Sequence, residues 1–127
     1  VSSLTSVWRN KEAAKQLISF RGLELGTKTP TDIDMFYDIG GRFFIIGETK
    51  YMSADIPWGQ QLAIERLCDG LERVGPTIAF ITSHKTPYTD EIIMADTTVD
   101  SYRRRCEWKK GTGCCLKDGI KVFLDKR

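Results

Sequence analysis

The chain has 127 residues, 41% hydrophobic and 28% charged, with 19 Lys and Arg against 17 Asp and Glu; this is enough for one compact core and excludes general disorder. No apolar stretch approaches a membrane span, and Val1-Ser2-Ser3-Leu4 lacks the basic and apolar regions of a signal peptide, so a soluble, intracellular, cytoplasmic protein with no membrane partner is expected. No repeat or linker interrupts the chain, and a single domain over residues 1–127 is expected.

Asn10 can cap a first helix over Lys11 to Arg21, with Ala13, Ala14, Leu17 and Ile18 as its apolar stripe, Glu12 on the solvated side and Gly22 as its stop. Leu23 to Leu25 then begins a short strand, and Thr27-Lys28-Thr29-Pro30 links it to the next.

That next strand carries Ile33, Met35, Tyr37 and Ile39 on one face and Asp32, Asp34 and Asp38 on the other. After Gly40-Gly41, Phe43-Phe44-Ile45-Ile46 reads as a buried strand, yet it ends in Glu48-Thr49-Lys50. Alternate residues share a face, so Glu48 and Lys50 point the same way, where packing has no use for either. A hairpin can place Asp34 beside Glu48, but only in one register. With a strict two-residue Gly40-Gly41 turn, Asp34 would oppose Gly47 and lie on the wrong face. One additional loop residue or a glycine bulge is therefore expected, and consecutive glycines adopt the positive φ this needs. Two adjacent carboxylates repel unless a cation lies between them, and oxygen-only ligation of this kind suits Mg²⁺ or Mn²⁺.

The stretch from Pro30 to Lys50, PTDIDMFYDIGGRFFIIGETK, resembles the signature of the PD-(D/E)XK nuclease superfamily, in which an acid precedes a hairpin whose second strand ends in Glu-x-Lys. The resemblance implies a restriction-endonuclease-like core and a catalytic set of Asp34, Glu48 and Lys50. Asp34 and Glu48 would ligate the metal, with the Thr49 carbonyl as a further ligand. Lys50 would position or activate the attacking water, either as a base or as a cation. The family's Pro-Asp dipeptide is loosened here to Pro30-Thr31-Asp32-Ile33-Asp34; the acid-apolar-Asp strand start favours Asp34 for the family role, with Asp32 in support. A second acid-x-Lys triplet, Glu107-Trp108-Lys109, follows three arginines and a cysteine instead of an apolar strand, and reads as a decoy.

Pro57 opens a helix expected to reach Val74, stopped by Gly75-Pro76, with a core stripe of Ile64, Leu67, Leu71 and Val74 and Ala63 alongside. Gln60 lies on this stripe one turn earlier, facing the sheet near Lys50. Its amide either holds a water or the scissile phosphate, a role some relatives give such a glutamine, or bonds exposed backbone at the helix start. Thr77 to Thr82 reads as a buried parallel strand reached by a right-handed crossover. Glu91 to Ala95 reads as an edge strand, Asp96-Thr97-Thr98 as the start of a helix with Val99, Tyr102 and Cys106 on one face, and Ile120 to Leu124 as a last strand. This order predicts an α/β three-layer sandwich, a mixed central sheet flanked by helices.

From Ser101 onward nine basic residues face three acids, a local excess suited to a phosphate backbone. Arg103, Arg104, Arg105, Lys109 and Lys110 are the candidate contacts, and Trp108 either stacks on a base or sugar or covers the core. Cys68, Cys106, Cys114 and Cys115 lack zinc-finger spacing and read as reduced thiols, Cys68 on a buried helix face, with a zinc site or redox bridge among the last three as the alternative. His84, the lone histidine, reads as structural or surface.

The expected function is Mg²⁺-dependent hydrolysis of phosphodiester bonds, with DNA as the partner on the strength of the resemblance. The absence of a groove-reading motif favours a structure- or end-directed endonuclease over a sequence-specific one. The resemblance also allows a homodimer, as in small junction-resolving members. The alternative is a non-catalytic nucleic-acid-binding module on the same fold.

Overall fold

The computed structural model describes residues 18–126, and the chain divides into two compact units, Val1–Pro30 and Thr31–Arg127. Most of the expected first helix lies outside the described residues; its last four, Ile18 to Arg21, are not helical. Leu23 to Leu25 is not a strand. Leu25 and Lys28 form one isolated antiparallel bridge around a turn with Gly26 at φ +68°, their backbone bonds 2.8 and 3.1 Å long.

The second unit is a mixed α/β fold in which five strands, β1 (Met35–Ile39), β2 (Phe43–Tyr51), β3 (Thr77–His84), β4 (Thr98–Arg104) and β5 (Glu107–Lys110), form one sheet in sequence order. Helix α1 (Trp58–Glu72) joins β2 to β3, which run parallel, and helix α2 (Leu116–Lys126) follows β5; the other strand pairs are antiparallel. Alternation along the strands divides the core. Ile45, Ile78, Phe80 and Val99 pack with Leu116 and Phe123 of α2, whereas Ile46, Ala79 and Ile81 pack with Ile64 and Cys68 of α1. The parallel strand expected over Thr77 to Thr82 is present and extends to His84. No helix among the described residues is long and apolar enough to cross a membrane.

Four further expected elements differ in the structure. Helix α1 ends at Glu72, two residues before Val74, because Val74 and Gly75 turn back to donate to the Leu71 carbonyl at 2.8 and 3.1 Å. Its buried positions are Ile64 and Cys68, with Leu71 packed beside them, while Leu67 is 37% and Val74 65% exposed.

The segment from Asp96 is a strand, not a helix: a one-turn 3-10 helix (Met94–Asp96) leads into β4. A β-bulge gives this segment its helix-like spacing. Ile81 opposes Ser101 and Thr82 opposes Val99, so Asp100 is the additional residue. Val99 and Tyr102 thereby reach the same core cluster at a spacing of three, which imitates a helical period. Glu91 to Ile93 is irregular and no edge strand forms there. Ile120 to Leu124 lies within helix α2, because Leu116, Ile120, Phe123 and Leu124 repeat at four, seven and eight and put one apolar stripe on the core.

Candidate functional site

The register of the first hairpin decides whether the acids meet. Ile39 pairs with Phe43 and Met35 with Gly47, leaving Gly40, Gly41 and Arg42 as a three-residue loop. Both glycines have positive φ, +65° and +68°, and the loop is closed by Arg42 N–H to the Ile39 carbonyl (3.1 Å) and Gly41 N–H to Asp38 Oδ1 (2.7 Å). One step beyond Met35 and Gly47 the same register places Asp34 opposite Glu48.

Two hydrogen bonds lock the pair. The Asp34 backbone N–H donates to Glu48 Oε1 at 3.2 Å, and the Thr49 N–H donates to Asp34 Oδ2 at 2.9 Å. Within an extended strand a residue's N–H and C=O leave on the same side, so the Thr49 carbonyl also leaves β2 toward Asp34. Gln60, in the first turn of α1, bridges back to this centre. Its Nε2 donates to Glu48 Oε2 at 2.6 Å and to the Asp32 carbonyl at 2.9 Å. It therefore orients the acid and ties the chain ahead of β1 to the helix.

Glu48 is buried at 8% exposure while Asp34 is exposed. Burial, and then the neighbouring Asp34 charge, raise the Glu48 carboxyl to about 7 against the opposing effect of the Asp34 N–H and Gln60 bonds, with Asp32 adding a smaller upward push. Such a group favours a proton, or a cation in its place.

Lys50 follows on the same face of β2. Its Nζ lies 3.9 Å from Asp100 Oδ2, the bulge residue of β4. Lys50, Ser83, His84, Lys85, Thr98 and Asp100 line a cleft of about 830 Å³ at the carboxyl ends of the parallel strands. Asp100 was missed by sequence reasoning because its stretch was assigned to a helix; the β-branched run Thr97-Thr98-Val99 was the available signal.

The basic segment is divided. Arg103 forms a bidentate pair with Asp69 of α1, at 2.9 and 2.8 Å, and Arg104 pairs with Glu72, donates to the Thr77 carbonyl at 3.0 Å and lies over the Phe123 ring. Arg103 holds the Asp69 carboxyl below its ordinary range, chiefly through that hydrogen bond. Trp108 packs beside the α1 cluster and its Nε1–H donates to Glu65 Oε1 at 2.6 Å, so it covers the core. Arg105, Lys109 and Lys110 are exposed around the β4–β5 turn and along β5. The decoy Glu107 and Lys109 are both exposed on β5.

All four cysteines are free thiols; Cys68 is buried, its thiol pushed up to about 12 by that burial. Among the described residues no group of three or more His, Cys, Asp or Glu side chains converges. A cation at the hairpin would therefore rely on two carboxylates and a carbonyl. No protein family's sequence model, no curated protein and no solved structure matches the chain.

Proposed function

We propose that the chain is a metal-dependent nuclease hydrolysing DNA phosphodiester bonds on a three-layer, restriction-endonuclease-like core. The observation that supports it best is the hydrogen-bonded pairing of exposed Asp34 with buried Glu48, with Lys50 two residues further on the same face. A carboxylate and an ammonium at the end of a buried strand gain nothing from apolar packing. The donors also fit a hard divalent ion: they are all oxygen, the two acids repel, and each Glu48 oxygen accepts one hydrogen bond and keeps a lone pair.

Asp34, Glu48 and the Thr49 carbonyl would hold Mg²⁺ or Mn²⁺, which supplies Lewis-acid charge to the phosphate and acidifies water. Gln60 fixes the Glu48 carboxylate in place. Lys50, tethered opposite Asp100, sets a cation where negative charge builds on the phosphate oxygens and orients the attacking water. Arg105, Lys109 and Lys110 would meet the phosphate backbone. The alternative of a non-catalytic binding module draws less support, since Arg103, Arg104 and Trp108 are engaged inside the fold.

The test is incubation of purified protein with supercoiled, linear and branched DNA in Mg²⁺. Cleavage that chelator stops, and that Glu48→Ala or Lys50→Ala abolishes with DNA affinity held within a few-fold, is expected. Intact DNA of all three forms in both Mg²⁺ and Mn²⁺ would contradict the proposal.

A further inference from the structure

Trp58, the first residue of α1, has 70% of its surface exposed, although an indole is highly buried on average. It rims a hollow of about 340 Å³ that is also lined by Lys50, Asp55, Ile56, Gln61 and Trp108. The Trp108 wall is fixed, with its ring nitrogen bonded to Glu65 and the Arg103 guanidinium 5.7 Å from its ring centroid. Lys50 also lines the larger cleft, so this one residue borders both spaces.

We propose that this hollow takes an unpaired nucleobase adjacent to the bond being cut, stacked on Trp58. The inference rests on the nuclease reading and narrows its substrates to nucleic acid with an unpaired or extruded nucleotide. A base has apolar faces and a polar edge. The lining offers both, with Trp58 and Ile56 as apolar residues for the faces and Gln61 and Asp55 as polar residues for the edge. In an uninterrupted duplex each base is already stacked on both faces and paired along its edge, so filling the hollow requires extrusion. An unpaired nucleotide enters without that penalty, and its occupancy brings the neighbouring phosphate to Lys50. Stacking tolerates any base, in keeping with a chain that shows no groove-reading motif.

The test compares cleavage of a duplex containing one bulged nucleotide with cleavage of the same duplex fully paired, in Mg²⁺, by the parent, Trp58→Ala and Trp58→Phe. The parent should prefer the bulged substrate, Trp58→Ala should lower the bulged-to-paired ratio of kcat/KM by about tenfold or more, and Trp58→Phe should restore most of it. Trp58→Ala should melt with the parent, and quenching of tryptophan fluorescence by a short oligothymidylate should shrink in it. A parent that cleaves both duplexes equally, or a Trp58→Ala ratio matching the parent's, would overturn the base pocket while leaving the nuclease reading intact. Cleavage of neither duplex by the parent would instead sink the nuclease reading itself. Concentration-dependent self-association that Trp58→Ala abolishes, with the ratio unmoved, would assign the indole to a second copy of the chain and overturn the proposal.

Discussion

The backbone N–H of Asp34 donates to Glu48 Oε1 at 3.2 Å, so the peptide of one acid supports the carboxylate of the other. That bond lowers the Glu48 pKa, yet burial and the Asp34 charge outweigh it and the carboxyl stands near 7.

A pH dependence follows. Glu48 titrates near 4.5 when unfolded and near 7 when folded, so between these values the folded state binds more protons and stability must fall as pH rises. The loss is at most about 3 kcal/mol at 1.36 kcal/mol per unit, reduced by solvent screening on the exposed Asp34 side. Chelated protein should therefore melt progressively lower from pH 5 to pH 8, and Glu48→Gln should flatten that slope. A parent slope identical to that of the variant would show that Glu48 titrates normally.

The hairpin and its register were legible because only one register puts Asp34 beside Glu48: a one-residue slip moves Asp34 to the wrong face, and two glycines allow the longer loop. The parallel strand after α1 was legible from its β-branched run. Beyond Thr82 the reading failed for identifiable reasons. The Asp100 bulge gave Val99 and Tyr102 a helical spacing, and the β4–β5 turn uses Arg105 and Cys106 at φ +50° and +65°, residues that announce no turn. A five-residue window at Ile120 was too short to separate strand from helix without Leu116. Partner choice within the basic segment was invisible because Asp69, Glu65 and Glu72 lie on α1, more than thirty residues away in sequence.

The arginines should separate from the lysines. Arg103→Ala leaves Asp69 without its bidentate partner and should destabilise the fold by about 2 kcal/mol, measured by urea unfolding. Lys109→Ala and Lys110→Ala should each change stability by less than about 0.5 kcal/mol. On DNA the lysine variants should flatten the salt dependence of binding by about 0.9 per lost phosphate contact. A salt slope unchanged by both would remove β5 from the proposed DNA-binding surface.

Asp100 should matter through Lys50. Asp100→Asn removes the charge 3.9 Å from the ammonium while keeping the side chain's size, and a misplaced cation should lower kcat up to about 100-fold with KM little changed. Asp100→Glu should recover part of the loss. Steady-state kinetics in which Asp100→Asn raises KM alone would show that Asp100 binds substrate and does not position Lys50.

In the proposed site Asp34 and Glu48 share one divalent cation, and thermal melting across a Mg²⁺ series tests this without any knowledge of substrate. If these two acids hold the ion, Mg²⁺ would bind the folded site and not the unfolded chain, and the parent's Tm should climb with Mg²⁺ by an amount equivalent to about 2.7 kcal/mol at one hundred times Kd. Metal-free Asp34→Asn should be at least as stable as the parent, because it loses a repelling charge beside Glu48, and its Tm should hardly respond to Mg²⁺. Equal Mg²⁺ responses in parent and variant would contradict the assignment of Asp34 as a metal ligand.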